Sequence, residues 1–249
     1  MAYDPNVASV HSFDISTGVD GPGTRFVLFL AGCPLRCQFC QNPDTWHMRD
    51  GRRATLDEVM TEVALYRRFL RVARGGVTVS GGEPLLQSQF VTRFFQRCKE
   101  WELPTALDTA GLLGVRAGGE LLAVTDLVLL DIKSSDPATY RRVTTKDVEP
   151  TLAFARRLAD LGKPMWIRFV LVPGLTDDAA NVAGIAEFAA SLGPTVERVE
   201  ILPYHRLGAP KYAALGKPFP LAATQPPTDA EIAAALAIFQ EQHLPVLVA

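Results

Sequence analysis

Strand-like and helix-like segments take turns along almost the whole of this chain, and that alternation restricts its fold more than any other property. "TRFVLFL", from Thr24 to Leu30, is a short β-branched and aromatic run that stops at Ala31-Gly32, which marks a strand. "TLDEVMTEVALYRRFLRVA" opens with Thr55 and Glu58 at capping-box spacing, then repeats Leu56, Val59, Met60, Val63 and Tyr66 on one helical face. "GVTVSGGEP" returns to a strand that runs into a glycine turn. The helix after it carries Phe90, Val91, Phe94, Phe95, Cys98 and Trp101 on one stripe. Further on, "PTALDTAG", "TDLVLLDIK", "MWIRFVLVPG" and "VERVEILPYH" read as strands. "TLAFARRLADLG", "DDAANVAGIAEFAASLG" and "TDAEIAAALAIFQEQ" read as helices, the last with a second Thr-x-x-Glu start at Thr228 and Glu231. "PVLVA" is a final strand.

Strands that alternate with helices pair in parallel through right-handed crossovers. About six such units without an evident switch point predict an α/β fold, a partial (β/α)6 TIM-like barrel with a parallel sheet. No G-x-G-x-x-G follows the first strand, which speaks against a dinucleotide fold. "RLGAPKYAALGKPFPLAATQPP" is rich in Pro, Gly and Ala and reads as a long surface loop, so the expectation is one domain over residues 1–249. With 48% hydrophobic residues the chain has ample material for a core. A net charge of −2, with both signs scattered, argues against generic nucleic-acid binding. The first residues have no basic-then-apolar pattern and no apolar run reaches membrane-spanning length, so the expected address is the cytoplasm, with no membrane partner.

The polar residues of these segments share a location. Gly81-Gly82-Glu83, Asp108-Thr109, Asp131, Lys133, Arg168 and His205 all fall at or near C-terminal strand ends. In a parallel barrel that edge is where chemistry is done. At the same edge, "GCPLRCQFCQNPDTW" holds three of the chain's four cysteines, Cys33, Cys37 and Cys40, within eight residues. In a reducing compartment such crowding means metal or redox chemistry more often than a disulfide scaffold. Thiolates are the usual ligands of iron–sulfur clusters, and a four-iron cluster held by three cysteines keeps one iron open to a substrate or cofactor. A structural zinc site wants four closed ligands, and the spacing from Cys40 to His47 does not match ordinary zinc motifs. Cys98, on its apolar helical stripe, reads as a core residue.

Cys33-Pro-Leu-Arg-Cys37-Gln-Phe-Cys40, a C-x-x-x-C-x-x-C run, resembles the signature of radical S-adenosylmethionine enzymes. "HSFDISTGVDGPGTRFVLFLAGCPLRCQFCQNPDTW", "GGVTVSGGEPLLQ", "LDTAG", "TDLVLLDIK", "WIRFVLVPG" and "ILPYHRLGAPKY" extend the likeness from end to end. They are similar to the activases of glycyl-radical enzymes, of the type that serves pyruvate formate-lyase. The resemblance implies an oxidoreductase with a [4Fe-4S] cluster on Cys33, Cys37 and Cys40, whose open iron chelates S-adenosylmethionine (SAM) through its amino and carboxylate groups. It puts Phe39 and Gln41 near the adenine and Gly81, Gly82 and Glu83 at the methionine end, where Gly82 lets backbone approach; the plain alternative is a tight turn. Asp131, Ile132 and Lys133 would contact the cofactor's polar groups, with Lys133 a partner for a carboxylate, and Arg168 joins the pocket. His205 would lie at the ribose or adenine. Asp108, Thr109 and Asp131, with a carbonyl near Leu129, resemble the family's monovalent-cation site, the alternative for Asp108 being structural capping. Asp20-Gly21-Pro22-Gly23 resembles the segment that meets the partner's glycine loop, against the alternative of an ordinary turn.

The implied reaction is reductive cleavage of SAM to methionine and a 5′-deoxyadenosyl radical, which takes a hydrogen from the Cα of a glycine in the partner. The implied partners are pyruvate formate-lyase, offering that glycine on a flexible loop, and a flavodoxin-type reductant, in anaerobic metabolism. No inserted cysteine-rich domain follows the motif, which suits the compact type. Ala110, Pro84 and Ala106 depart from familiar members; they bear on details of the cofactor pocket and touch none of the cluster ligands. Three other readings remain: a radical enzyme acting on a small molecule or another glycyl-radical enzyme, a zinc-binding interaction module built on the cysteine loop, and a TIM-barrel hydrolase using Glu83 and Asp131.

Overall fold

A computed structural model describes residues 4–249. The chain is α/β with a mainly parallel sheet, as the alternation predicts, and it gathers into two compact units. The first comprises residues 4–34, Thr45–Thr109 and Leu113–Leu129; the second comprises Leu35–Asp44, Ala110–Leu112 and Leu130–Ala249. Among the described residues no helix is long and apolar enough to cross a membrane.

In the first unit the strands are β1 (Val7–Thr17), β2 (Thr24–Leu30), β3 (Arg52–Thr55), β4 (Gly76–Gly81), β5 (Thr105–Thr109) and the start of β6 (Leu127–Asp131). Their order is β3-β1-β2-β4-β5-β6. β2, β4 and β5 run parallel, whereas β1 is antiparallel to both β2 and β3. Neither β1 nor β3 is foreseen from the sequence. The pairing of β1 shifts between Val10 and Ser12, so its apolar alternation changes phase midway, and its buried Ser9 is satisfied by the Gln87 side chain amide. Helix α1 (Leu56–Val72) begins with the expected box: the Thr55 hydroxyl accepts from the Glu58 amide, and the Glu58 carboxylate accepts from the Thr55 amide. Helix α2 (Ser88–Glu100) buries Phe90, Val91, Phe94, Phe95 and Cys98, and α3 (Gly119–Ala123) is a short turn after it. Trp101 lies just past α2, half-buried, with the Arg67 guanidinium 5.0 Å from its ring centroid.

In the second unit the order is β6, β7 (Met165–Leu171), β8 (Val196–Pro203) and β9 (Val246–Val248), with β7, β8 and β9 parallel. Its helices are α4 (Pro137–Thr144), α5 (Glu149–Asp160), α6 (Ala179–Ser191), α7 (Ala209–Ala214) and α8 (Asp229–Glu241). β6 and β7 are buried almost throughout, which explains why they read as continuous apolar runs. The Pro-, Gly- and Ala-rich stretch is exposed along most of its length, as a surface loop is, but it is not featureless. It holds α7, and single anchors tie it down: Tyr212 and Leu221 are buried, Tyr212 packs on Phe219 with centroids 5.0 Å apart, and the Tyr204 hydroxyl donates to the Leu221 carbonyl at 3.2 Å. Isolated anchors leave no period to detect. Arg168 also departs from expectation, since it lies in the middle of β7 and not at its end.

Candidate active site

Within the first unit, the cysteine loop leaves the end of β2 directly against the glycine turn after β4. Leu30 stands opposite Gly81 in the parallel register, and the amides of Gly82 and Glu83 donate to the carbonyls of Leu30 and Gly32, each at 2.8 Å. Gly81 has φ +115°, and a Cβ there would stand 2.3 Å from the Leu30 backbone; one on Gly82 would stand 2.3 Å from the Gly32 oxygen. The turn therefore holds the root of the cysteine loop by contacts that only glycines permit. From the other side, Gly32 and Cys33 donate to the Thr45 and Trp46 carbonyls at 2.6 and 3.0 Å. Glu83 is fully buried, and its Oε1 accepts from the Leu85 amide at 3.1 Å and the Thr109 hydroxyl at 2.6 Å. Asp108 is half-buried and its Oδ2 accepts from the Ser80 hydroxyl at 2.5 Å. Asp20-Gly21-Pro22-Gly23 precedes β2, at the opposite end of that strand from Cys33, and the Asp20 carbonyl accepts from the Thr78 hydroxyl at 2.7 Å.

Within the second unit, the rest of the loop is clamped from two directions. The amides of Arg36 and Gln38 donate to the carbonyls of Thr144 and Val143 at the end of α4, and the Gln38 side chain donates to the Arg142 carbonyl at 2.8 Å. Phe39 is buried with Val143, Val172, Tyr204 and Leu221, and Cys37 packs on the same cluster. From the segment after β8, the His205 carbonyl accepts from the Gln41 Nε2 at 3.2 Å, and Lys211 donates to Asn42 at 2.7 Å and Asp44 at 3.2 Å. The His205 ring itself is exposed, with its Nδ1 facing the Leu207 amide at 3.3 Å. Gly208 lies so close to the loop that a Cβ there would meet the Cys40 carbonyl at 3.0 Å and Gln41 Oε1 at 2.9 Å.

The Lys133 ammonium lies 5.5 Å from the Phe39 ring centroid and donates to Asp131 at 2.6 Å, with both partners largely shielded. Ile132 between them is buried, and its amide donates to the Arg168 carbonyl at 3.0 Å. The Arg168 side chain faces Glu200, its partner across β7 and β8, with Nε 3.6 Å from the carboxylate; Arg198 approaches the same carboxylate at 3.4 Å. Burial pushes the Glu200 carboxyl above its usual range, against the pull of Arg168 and Arg198. Glu200, Gln38 and Lys211 are the residues that sequence reasoning misses. Glu200 leaves little trace in the sequence, being one of two acids, with Glu197, in a strand that also carries Arg198.

The residues present suit an iron–sulfur cluster and a nucleotide cofactor. Cys33, Cys37 and Cys40 form no disulfide and are all partly exposed, on a loop whose backbone is held on both flanks. Burial pushes the Cys37 thiol up to about 12, opposed by the nearby Lys133. Among the described residues no three His, Cys, Asp or Glu side chains are gathered as a metal site. The Gln41 Nε2 is committed to the Phe39 and His205 carbonyls, which leaves Oε1 as a buried acceptor without a partner. An adenine amine is a donor of the kind such an oxygen requires.

Comparison with known proteins follows the same line. The sequence profile of the Radical SAM superfamily matches residues 27–184. The chain is 42% identical over 237 residues to the pyruvate formate-lyase-activating enzyme of Listeria monocytogenes, covering 93% of this chain and 95% of that one. It is 42% identical over 225 residues to the pyruvate formate-lyase 1-activating enzyme of Escherichia coli K12, covering 89% and 90%. Among solved structures, a domain of the pyruvate-formate lyase-activating enzyme from Bacteroides vulgatus superposes with a TM-score of 0.60 at 29% identity, covering 70% of this chain and 99% of that one.

Proposed function

Because the chain belongs to the Radical SAM superfamily, and within it to the pyruvate formate-lyase-activating enzymes, we propose that it installs the glycyl radical of pyruvate formate-lyase. When bound, the [4Fe-4S] cluster supplies one electron to the sulfonium of SAM, and the 5′-deoxyadenosyl radical so released takes a hydrogen from a glycine Cα of the partner. The chain's own residues bind, orient and exclude. Cys33, Cys37 and Cys40 would hold the cluster. Lys133, held by Asp131 and shielded, meets the carboxylate of SAM, with the Ile132 backbone beside it. Phe39 and the spare Gln41 oxygen face the adenine, and His205 the ribose or adenine. Gly81, Gly82 and Glu83 border the methionine end, and Arg168, steadied by Glu200, is a further cofactor contact. Asp108, Thr109 and Asp131, with a backbone carbonyl near Leu129, would offer hard oxygen donors to a monovalent cation; the Thr109 hydroxyl already serves Glu83, so Thr109 would contribute its backbone oxygen.

The chain works as one domain in this reading, since the superfamily match runs through both compact units. A flavodoxin-type protein is the reductant, and the setting is the cytoplasm, away from nucleic acid and membrane. The observation that carries the proposal is the unbroken C-x-x-x-C-x-x-C in a chain 42% identical to activating enzymes over 93% of its length. The test is anaerobic incubation of the reconstituted protein with dithionite, SAM and pyruvate formate-lyase. The expected result is a glycyl doublet in the paramagnetic resonance spectrum, lost when Cys33, Cys37 and Cys40 become alanine. SAM cleavage without that doublet would assign the chain to a different substrate.

A further inference from the structure

We infer that Asn181, in the first turn of α6, is a positioning residue for SAM binding. It seats the turn that follows Lys133 and so sets where the Lys133 ammonium meets the carboxylate of SAM. The inference deepens the function proposed above and rests on the role given there to Lys133.

β6 ends at Asp131 and α4 begins at Pro137, so Lys133 sits in the connection between them. A lysine head on four flexible carbons is held in place only if both ends are fixed. Asp131 fixes the ammonium at 2.6 Å. Asn181 fixes the backbone that follows. Its side chain is buried, and its Oδ1 accepts from the Ser134 hydroxyl at 2.6 Å and from the Ser135 amide at 2.9 Å. The Ser135 hydroxyl donates to the Asn181 carbonyl at 2.8 Å. In the other direction, Asn181 Nδ2 donates to the Thr176 carbonyl at 2.7 Å. The Thr176 hydroxyl in turn donates to the Val170 carbonyl at 2.8 Å and accepts from the Val172 amide at 2.9 Å, at the end of β7. One buried amide, with both polar atoms used, thus ties the residues just after Lys133 to the end of a buried strand.

Two further features hold Asn181 to this task. The Asp178 carboxylate caps α6 through the amides of Ala180 and Asn181, at 3.1 and 3.2 Å, so the turn that carries Asn181 is itself fixed. Gly184, three residues further along α6, faces Ser135 so closely that a Cβ there would stand 2.5 Å from the Ser135 hydroxyl oxygen and 3.0 Å from its Cβ. Glycine is unfavourable inside a helix, and here it gives α6 the room to press on the turn after Lys133.

The test is anaerobic calorimetry of SAM binding to the reconstituted protein, with Asn181→Ala, Lys133→Met and the double variant forming a cycle. In Asn181→Ala the dissociation constant for SAM should rise about tenfold, the order of loss when a group that orients a binding side chain is removed. In the Lys133→Met background the same substitution should change it by less than about twofold, because the residue through which Asn181 acts is gone. Ser134→Ala, which removes one hydroxyl and little volume, should weaken binding about threefold. A cycle built on Ser134→Ala gives the answer if Asn181→Ala does not fold. An unchanged dissociation constant overturns the inference. So does an equal loss with and without Lys133, which would make Asn181 a brace for the whole site. Wild-type protein that binds no SAM defeats the proposed function and this inference with it. SAM bound and cleaved without a glycyl doublet on pyruvate formate-lyase defeats the proposed function alone, and the cycle still decides the role of Asn181.

Discussion

At the scale of single residues, Gly82 lacks a side chain for a reason internal to the protein, whatever it later offers a cofactor. A methyl group there would stand 2.3 Å from the Gly32 oxygen and 3.1 Å from that of Thr45, both backbone atoms at the root of the cysteine loop. Gly82→Ala should therefore cost about 1–3 kcal/mol in urea denaturation, the usual range for overpacking, and should lower the iron retained after anaerobic gel filtration. Wild-type stability with full iron would mean that the loop root gives way freely. Glu200 makes a prediction in pH. Burial raises its carboxyl pKa in the folded chain, so the folded state holds that proton more tightly than the unfolded state does. Its contribution is complete below the ordinary glutamate value of about 4.3 and fades as pH rises through the higher folded value. Compared with Glu200→Gln, the wild type should lose relative stability over that window, measured by denaturant titration across a pH series. Parallel curves, or a wild type that gains, would contradict the assigned direction.

At the scale of elements, the features legible in the sequence are those with a local cause. The boxes at Thr55/Glu58 and Thr228/Glu231 and the phenylalanine stripe of α2 stand where the spacing puts them. Thr55→Ala should remove one cap and cost about 1 kcal/mol, seen as a lower melting temperature with glycyl radical formation unchanged. The elements that escape notice depend on partners distant in sequence. β3 is only Arg-Arg-Ala-Thr and owes its form to pairing with β1; α7 depends on Tyr212 finding Phe219. The candidate site divides in the same way. Its cysteines and the Asp131/Lys133 pair are visible as motifs, but the Arg168–Glu200 pair exists only through the register of β7 on β8, which no local pattern encodes. The clamp after β8 is likewise invisible beforehand, and it yields its own test. Gly208→Ala would press on the Cys40 carbonyl and Gln41, so iron and acid-labile sulfide should be lost faster from the variant at nearly unchanged melting temperature. Equal retention would remove the clamp from the account.

At the scale of the whole molecule, the chemistry and the stability draw on different atoms. The buried core is built from aliphatic and aromatic side chains on the strands and the helices that cover them, and the only cysteine in it is Cys98. The main-chain bonds of β2 with β4, and of β7 with β8, form between residues that precede or follow the loop in sequence, and of the loop thiols Cys37 packs against an apolar cluster. A cluster that binds only the folded chain still stabilises it by mass action, and that gain should appear where local opening is governed by the loop and its clamps. Replacing Cys33, Cys37 and Cys40 together by alanine should thus leave a folded chain with native far-ultraviolet dichroism and no SAM cleavage. In native-state hydrogen exchange, amides of β2, β4, β7 and β8 should keep their protection, while residues 35–44 and 203–215 exchange faster than in the loaded protein. Protection lost evenly across those strands would make the cluster part of the core, and the separation of chemistry from scaffold argued here would fail.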